Sequence, residues 1–169
     1  MTVKIAVIGD THINSFELLP YEIVGFIESV DWVIHVGDYT SLSVLKKIKK
    51  KGPNFIGVYG NADPLNVRDK LNAEEILEIQ EKKIGITHPA KGGHERYVER
   101  RVLTKFAKKN LDCIVYGHTH YPKITKIKDI LLINPGKGYI ENNSFNKFAS
   151  IALITIGKKI EVKIKEINR

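Results

Sequence analysis

Eight short runs rich in β-branched residues are strung along the chain: VKIAVI (3–8), WVIHV (32–36), NFIGVY (54–59), KIGIT (83–87), CIVY (113–116), DILLI (129–133), SIALITI (150–156) and KIEVKIKEI (159–167). Each has the length of a strand, and the last alternates apolar with charged residues as a half-exposed strand does. Helical patterns fall between them at roughly 19–29, 41–51, 64–72 and 93–109. Helices alternate with strands in the first half, while strands follow one another in the second. This order predicts parallel pairing early and antiparallel pairing late, around a layered sheet core of mixed α/β class. With no repeat or low-complexity stretch, residues 1–169 read as one domain.

The polar residues fall at the ends of the strands. VKIAVI runs into Gly9-Asp10-Thr11-His12, WVIHV into Gly37-Asp38, and NFIGVY into Gly60-Asn61. KIGIT runs into His88, and CIVY into Gly117-His118-Thr119-His120. Ligands of sheets with parallel strands collect in the crevice beyond the carboxyl ends, so Asp10, His12, Asp38, Asn61, His88, His118 and His120 are placed to converge there. Oxygen from aspartate and asparagine with nitrogen from imidazole suits manganese, iron, cobalt, nickel or zinc. The absence of a cysteine ligand set argues against a structural zinc knuckle. Seven ligands are too many for one tetrahedral ion and suit two ions sharing a carboxylate, an arrangement that favours in-line displacement at phosphorus. His118 and His120 then reach neighbouring ions from one loop.

The ordered set GDTH, GD, GN, TH and GHTH resembles the calcineurin-like metallophosphoesterase superfamily, and the short chain resembles its small prokaryotic phosphodiesterase branch, which also tends to carry a segment like INPGK (133–137). The resemblance implies a four-layer αββα sandwich with a dinuclear site. It assigns one ion to Asp10, His12, Asp38 and His120, and the other to Asp38, Asn61, His88 and His118. Asp38 bridges them, with manganese as the first expectation for the metal. It also implies a phosphoesterase acting on diesters more readily than on monoesters. A rival expectation is a non-catalytic interaction scaffold, because a eukaryotic membrane-trafficking subunit shares this fold.

Two departures concern the catalytic acid. Many members follow the GN with a histidine credited with contacting phosphate and helping the leaving group depart, whereas this chain reads Gly60-Asn61-Ala62-Asp63. Members of the small branch often have a second histidine almost directly after the one matching His88, whereas here Pro89 to Gly93 intervene before His94. The candidates left for proton transfer are His94 and Asp63. His94 opens a helical stretch, where it serves either as an exposed starting residue or as a contact to substrate phosphate. Asp63 precedes Pro64 and is also suited to cap a helix. His35 reads as a core or supporting histidine. Asn134-Pro135-Gly136 reads as a tight turn and Cys113 as a small buried residue.

Composition bounds the partners. The chain carries 27 Lys and Arg against 19 Asp and Glu, a net charge of +8 that attracts phosphate-bearing molecules. The clusters LKKIKKKG (45–52) and KFAKKN (105–110) lack the arginine and aromatics of a base-stacking groove and read as solvated helix faces. A small phosphodiester is therefore the expected substrate, with nucleic acid entering as substrate only, no membrane partner, and homo-oligomerisation left open. A lone cysteine and an N-terminus without an apolar leader point to the cytoplasm.

Overall fold

Residues Ile5 to Ile8 of the first strand are all fully buried. A strand buried on both faces needs a layer on each side. In the computed structural model, which describes residues 1–141 and 147–168, alternation decides which layer each side chain meets. Ile5 and Val7 join Ile84, Ile86, Cys113 and Val115 in a core between two sheets. Ala6 and Ile8 turn the other way, toward Ile23, Ile27, Val44 and Ile48 on two helices. A third core joins Val98, Val102 and Phe106 of another helix to Ile114, Tyr116 and Leu132. Three cores separate four layers, helix, sheet, sheet and helix, which is the αββα sandwich.

The described elements run β1 (Val3–Ile8), α1 (Tyr21–Ser29), β2 (Trp32–His35), α2 (Leu42–Lys51), β3 (Phe55–Gly57), α3 (Leu65–Arg68), β4 (Glu74–Ile79), β5 (Lys82–Thr87), α4 (Glu95–Lys105), β6 (Cys113–Tyr116), β7 (Lys123–Ile127), β8 (Ile130–Asn134), β9 (Ala149–Ile156) and β10 (Ile160–Ile167). One sheet has the order β10-β9-β1-β2-β3 and the other β4-β5-β6-β8-β7. β1, β2 and β3 are parallel, and β9 and β10 add antiparallel. In the second sheet β5, β6 and β8 are also parallel, so parallel pairing extends further along the chain than the sequence pattern suggested.

Two strands escaped the pattern. β4 (EEILEI) and β7 (KITKI) are edge strands with one face exposed, and their charges hide the apolar alternation. The helix expected over 64–72 stops at Arg68, and Asn72 instead forms an isolated bridge with Val58, its carbonyl accepting the Tyr59 N–H (3.1 Å). No helix among the described residues is long and apolar enough to cross a membrane. The carboxyl ends of β1, β2 and β3 meet those of β5, β6 and β8 at one end of the sandwich, where loops from both sheets are joined by hydrogen bonds.

Candidate metal centre

Backbone bonds hold these loops together. The Asp10 N–H donates to the Gly37 carbonyl (2.9 Å), the His12 N–H to that of Asp38 (3.2 Å), and the Gly138 N–H to that of Gly9 (2.8 Å). Across the sheets, the His118 N–H donates to the Asp10 carboxylate (2.9 Å to Oδ2). Gly60 is required for close approach, since a Cβ there would land on Asp38 Oδ1.

Asp10, His12, Asp38, His118 and His120 all have positive φ, between 45° and 92°. Each such conformation costs a non-glycine residue about 1–3 kcal/mol. Five of the seven expected ligands carry this strain, and strain of this kind collects where side chains are aimed for a task.

The donor atoms form two clusters, with Asp10 in both ligand trios and Asp38 Oδ2 close to His12 and to His88. In one, His12 Nε2 and His120 Nε2 are 3.2 Å apart. Asp10 Oδ1 lies 3.4 Å from His120 Nε2, and Asp38 Oδ2 lies 3.6 Å from His12 Nε2. In the other, His88 Nε2 lies 3.4 Å from Asp38 Oδ2 and 3.0 Å from Asn61 Oδ1. His118 Nδ1 lies 2.7 Å from the same Asn61 oxygen and 3.3 Å from His88 Nε2. His88 Nδ1 is 2.8 Å from the Val36 carbonyl, which can only accept, so Nδ1 carries the proton and Nε2 presents a lone pair. That lone pair faces a carboxylate oxygen and an amide oxygen, also acceptors. Acceptors aimed at one another repel unless a cation stands among them, so the donor set fits metal ions. Ligand atoms of Asp10, His12 and His120, and of Asp10, Asp38 and His88, lie within 4.8 Å of one another in each trio.

The electrostatics divide the histidines. Burial lowers the pKa of His12 and of His118, which favours the neutral imidazole a metal requires. The hydrogen bond to Asp10 raises that of His120. Burial works to raise the Asp10 carboxyl, but the hydrogen bond to His120 and the His118 amide N–H help to carry it below the usual range.

Asp63 does not cap α3, whose N-cap is Pro64 and which has no side-chain cap bond. Its buried carboxylate accepts the N–H groups of Gly60 (2.7 Å), Asp38 (2.9 Å) and Thr40 (2.8 Å), tying the Asp38 loop to the Asn61 loop. Arg68 completes the clip by donating to the carbonyls of Asp63 and Asn61, both at 2.7 Å, with its guanidinium 5.5 Å over the Tyr59 ring. His94 is the exposed N-cap of α4, accepting the Arg96 N–H, and makes no contact with the seven clustered residues. His35 is fully buried, stacks on Tyr39 at 3.6 Å, and accepts the Gly37 N–H.

Three supports were not legible as such. Nothing in the sequence around Arg68 marks it as a support of the two loops. Tyr139 sets its ring edge near His12 (5.7 Å) and His120 (6.3 Å), with its hydroxyl donating to Glu141. Asn134 makes its expected turn, accepting the Gly136 N–H, and also donates to Thr119 (2.8 Å) inside the GHTH loop. The INPGK segment was the signal for the last two, but sequence spacing does not reveal that it lies against the β1 and β6 loops.

Known proteins share this sequence pattern and fold. The family model described as the calcineurin-like phosphoesterase superfamily domain matches residues 3–159. A probable metallophosphoesterase of Methanocaldococcus jannaschii is 35% identical over 170 residues, 96% of this chain and 81% of its own. A phosphodiesterase of the same organism is 34% identical over 150 residues, 81% of this chain and 86% of its own. Among solved structures, a Thermotoga maritima protein matches with a TM-score of 0.74 at 27% identity, over 98% of this chain and 99% of that one. Zinc-complexed Vps29 from Entamoeba histolytica matches in fold alone, with a TM-score of 0.72 at 17% identity over 98% and 99% of the two chains. A family match over nearly the whole chain and relatives above one-third identity lead to one conclusion: the chain belongs to the calcineurin-like phosphoesterase superfamily.

Proposed function

We propose that this protein is a dinuclear metal-dependent phosphodiesterase acting on small or nucleotide-type phosphodiesters. The observation that carries the reading is Asp38 Oδ2, which lies between two clusters of lone pairs, 3.6 Å from His12 Nε2 and 3.4 Å from His88 Nε2. Asp10, His12, Asp38 and His120 would hold one ion, and Asp38, Asn61, His88 and His118 the other. Two divalent ions, manganese first among nickel, iron, cobalt and zinc, would supply polarisation of the phosphoryl oxygens and a water acidified toward neutral pH. The chain's own residues do the aiming. The Ala62 N–H fixes Asp38 Oδ1 (2.7 Å), and the Asp63–Arg68 clip holds Asn61 and Asp38 in register. The preference for diesters rests on the M. jannaschii relative called a phosphodiesterase.

Proton supply to the leaving group is the weak part of this machinery. Ala62 has no proton to give, Asp63 is engaged by three amides, and His94 stands beyond the Gly92–Gly93 step. Ala62 is also the observation that favours the rival, a scaffold of the same fold as Vps29. A substrate panel decides between them. Metal-stripped protein reloaded with each ion should hydrolyse a bis-aryl phosphate, and a chelator should abolish that turnover. Folded protein inert with every ion on both mono- and diesters would hand the site to the scaffold reading.

A further inference from the structure

Net charge is concentrated on two helices: residues 45–52 hold five Lys with no acid and no arginine, and Lys47 and Lys51 are paired to Glu17 and Glu28. Residues 91–109 hold seven Lys and Arg (Lys91, Arg96, Arg100, Arg101, Lys105, Lys108, Lys109) and two Glu, so nineteen residues carry +5 of the chain's +8. They also hold three of its five arginines. α4 shows this charge outward: Arg96, Arg100, Arg101 and Lys105 are exposed, while Val98, Val102 and Phe106 face the core. Of the acids near this face, Glu99 is buried with Lys123 (2.9 Å) and Glu74 pairs with Lys105 (3.3 Å), which leaves the arginines as its main charge. Tyr97 stands among the arginines, about half exposed, with the Arg96 guanidinium 4.8 Å over its ring and the His94 ring 6.3 Å away. Where α4 meets the loop before it, a depression of about 260 Å³ is lined by Pro89, Ala90 and Val102 together with Lys91, Arg101 and Lys105.

This face is joined to the metal centre. Arg101 donates to the carbonyls of Lys91 (2.6 Å) and Gly92 (2.8 Å), fixing the loop before α4. That loop lies directly on His118: a Cβ at Gly92 would sit 2.8 Å from His118 Nε2. The track therefore begins at a metal-ligand candidate and runs out along α4 for about 16 Å.

We infer that the outer face of α4 is a binding track for a single-stranded polynucleotide, delivering one of its phosphodiesters to the metal centre. Planar guanidinium groups match phosphate oxygens and also stack on bases, and an exposed tyrosine offers a sequence-tolerant stacking surface. The inference rests on the phosphodiesterase reading only for what happens at the metal end. Binding along α4 stands apart from it.

The test uses the metal-loaded full chain and a fluorescein-labelled oligothymidylate with phosphorothioate linkages, followed by anisotropy between about 0.05 and 0.2 M salt. Arg96→Gln with Arg100→Gln should weaken binding about tenfold or more at low salt. It should also flatten the slope of log affinity against log salt by about 1.4, as expected for two lost single-strand contacts. Tyr97→Ala should weaken binding about tenfold with the slope unchanged. Lys46→Gln with Lys50→Gln on α2 removes the same charge elsewhere and should change binding little. Turnover of a bis-aryl phosphate should be the same in all four proteins. The inference is overturned if the arginine variant binds like the parent, if the α2 variant loses as much, or if phosphatidylserine vesicles rather than the oligonucleotide compete for the arginines. If the bis-aryl phosphate is inert in every protein while the arginine variant alone loses the oligonucleotide, the phosphodiesterase reading fails and the track stands.

Discussion

His88 and Val36 come from different sheets, and the 2.8 Å bond from His88 Nδ1 to the Val36 carbonyl fixes both the ring and its tautomer. A strand-end carbonyl thereby decides which nitrogen faces Asp38. Nitrogen-detected NMR of metal-free protein at neutral pH should show His88 protonated on Nδ1 and bare on Nε2. The opposite tautomer would remove the lone pair from the second cluster.

Asp63 is expected to act by position. Asp63→Asn places an amide NH₂ against backbone N–H groups that now donate to carboxylate oxygen, and an unsatisfied buried pair of this kind costs about 1–3 kcal/mol. Urea unfolding should report that loss, and metal affinity should fall with it although Asp63 is not in either ligand cluster. A variant with native stability and native metal affinity, but a steeper dependence of rate on leaving-group pKa, would make Asp63 the acid instead.

Most of the candidate site was legible because its residues sit where strands stop, and strand ends are marked by glycine and polar residues following an apolar run. Asp10, Asp38 and the GHTH loop could be placed on this ground alone. The partners of Asp63 could not. A carboxylate before proline suggests a cap, and only the fold brings the Gly60, Asp38 and Thr40 amides around it. β4 and β7 were obscured for a related reason, since edge strands bury one face and carry charge on the other. On α4 the helical period brings Arg96, Tyr97, Arg100 and Arg101 onto one outward arc, which a count of clustered lysines does not reveal.

Ala62 sets the expectation for leaving groups. Its side chain is exposed while its N–H holds Asp38, so Ala62→His can add an imidazole and keep that bond. A positioned general acid contributes about 10²–10⁴-fold, and poor leaving groups need it most. The parent should therefore favour aryl over alkyl esters steeply, and Ala62→His should flatten the plot of log rate against leaving-group pKa. His94→Ala should steepen it only if His94 supplies the proton. One shallow slope shared by all three proteins would mean that departure needs no side-chain acid.

His35 makes stability depend on acid. Burial pushes its pKa from 6.5 down to about 3, so on acidification the unfolded chain takes up this proton first. The contribution is complete above pH 6.5 and is lost as pH falls toward 3, at about 1.4 kcal/mol per pH unit. Between pH 7 and 4.5, His35→Gln should lose about 2–3 kcal/mol less stability than the parent. Equal losses in urea titrations at the two pH values would show that His35 is protonated in the folded protein.

The central claim is a pair of metal sites sharing Asp38. Calorimetric titration of metal-free protein with manganese tests it most directly, with circular dichroism confirming that each variant is folded. The parent should bind about two ions per chain. Asp38→Ala should weaken both sites together, because Asp38 Oδ2 lies within 3.6 Å of His12 Nε2 and 3.4 Å of His88 Nε2. Two sites of unchanged affinity in folded Asp38→Ala would contradict the account.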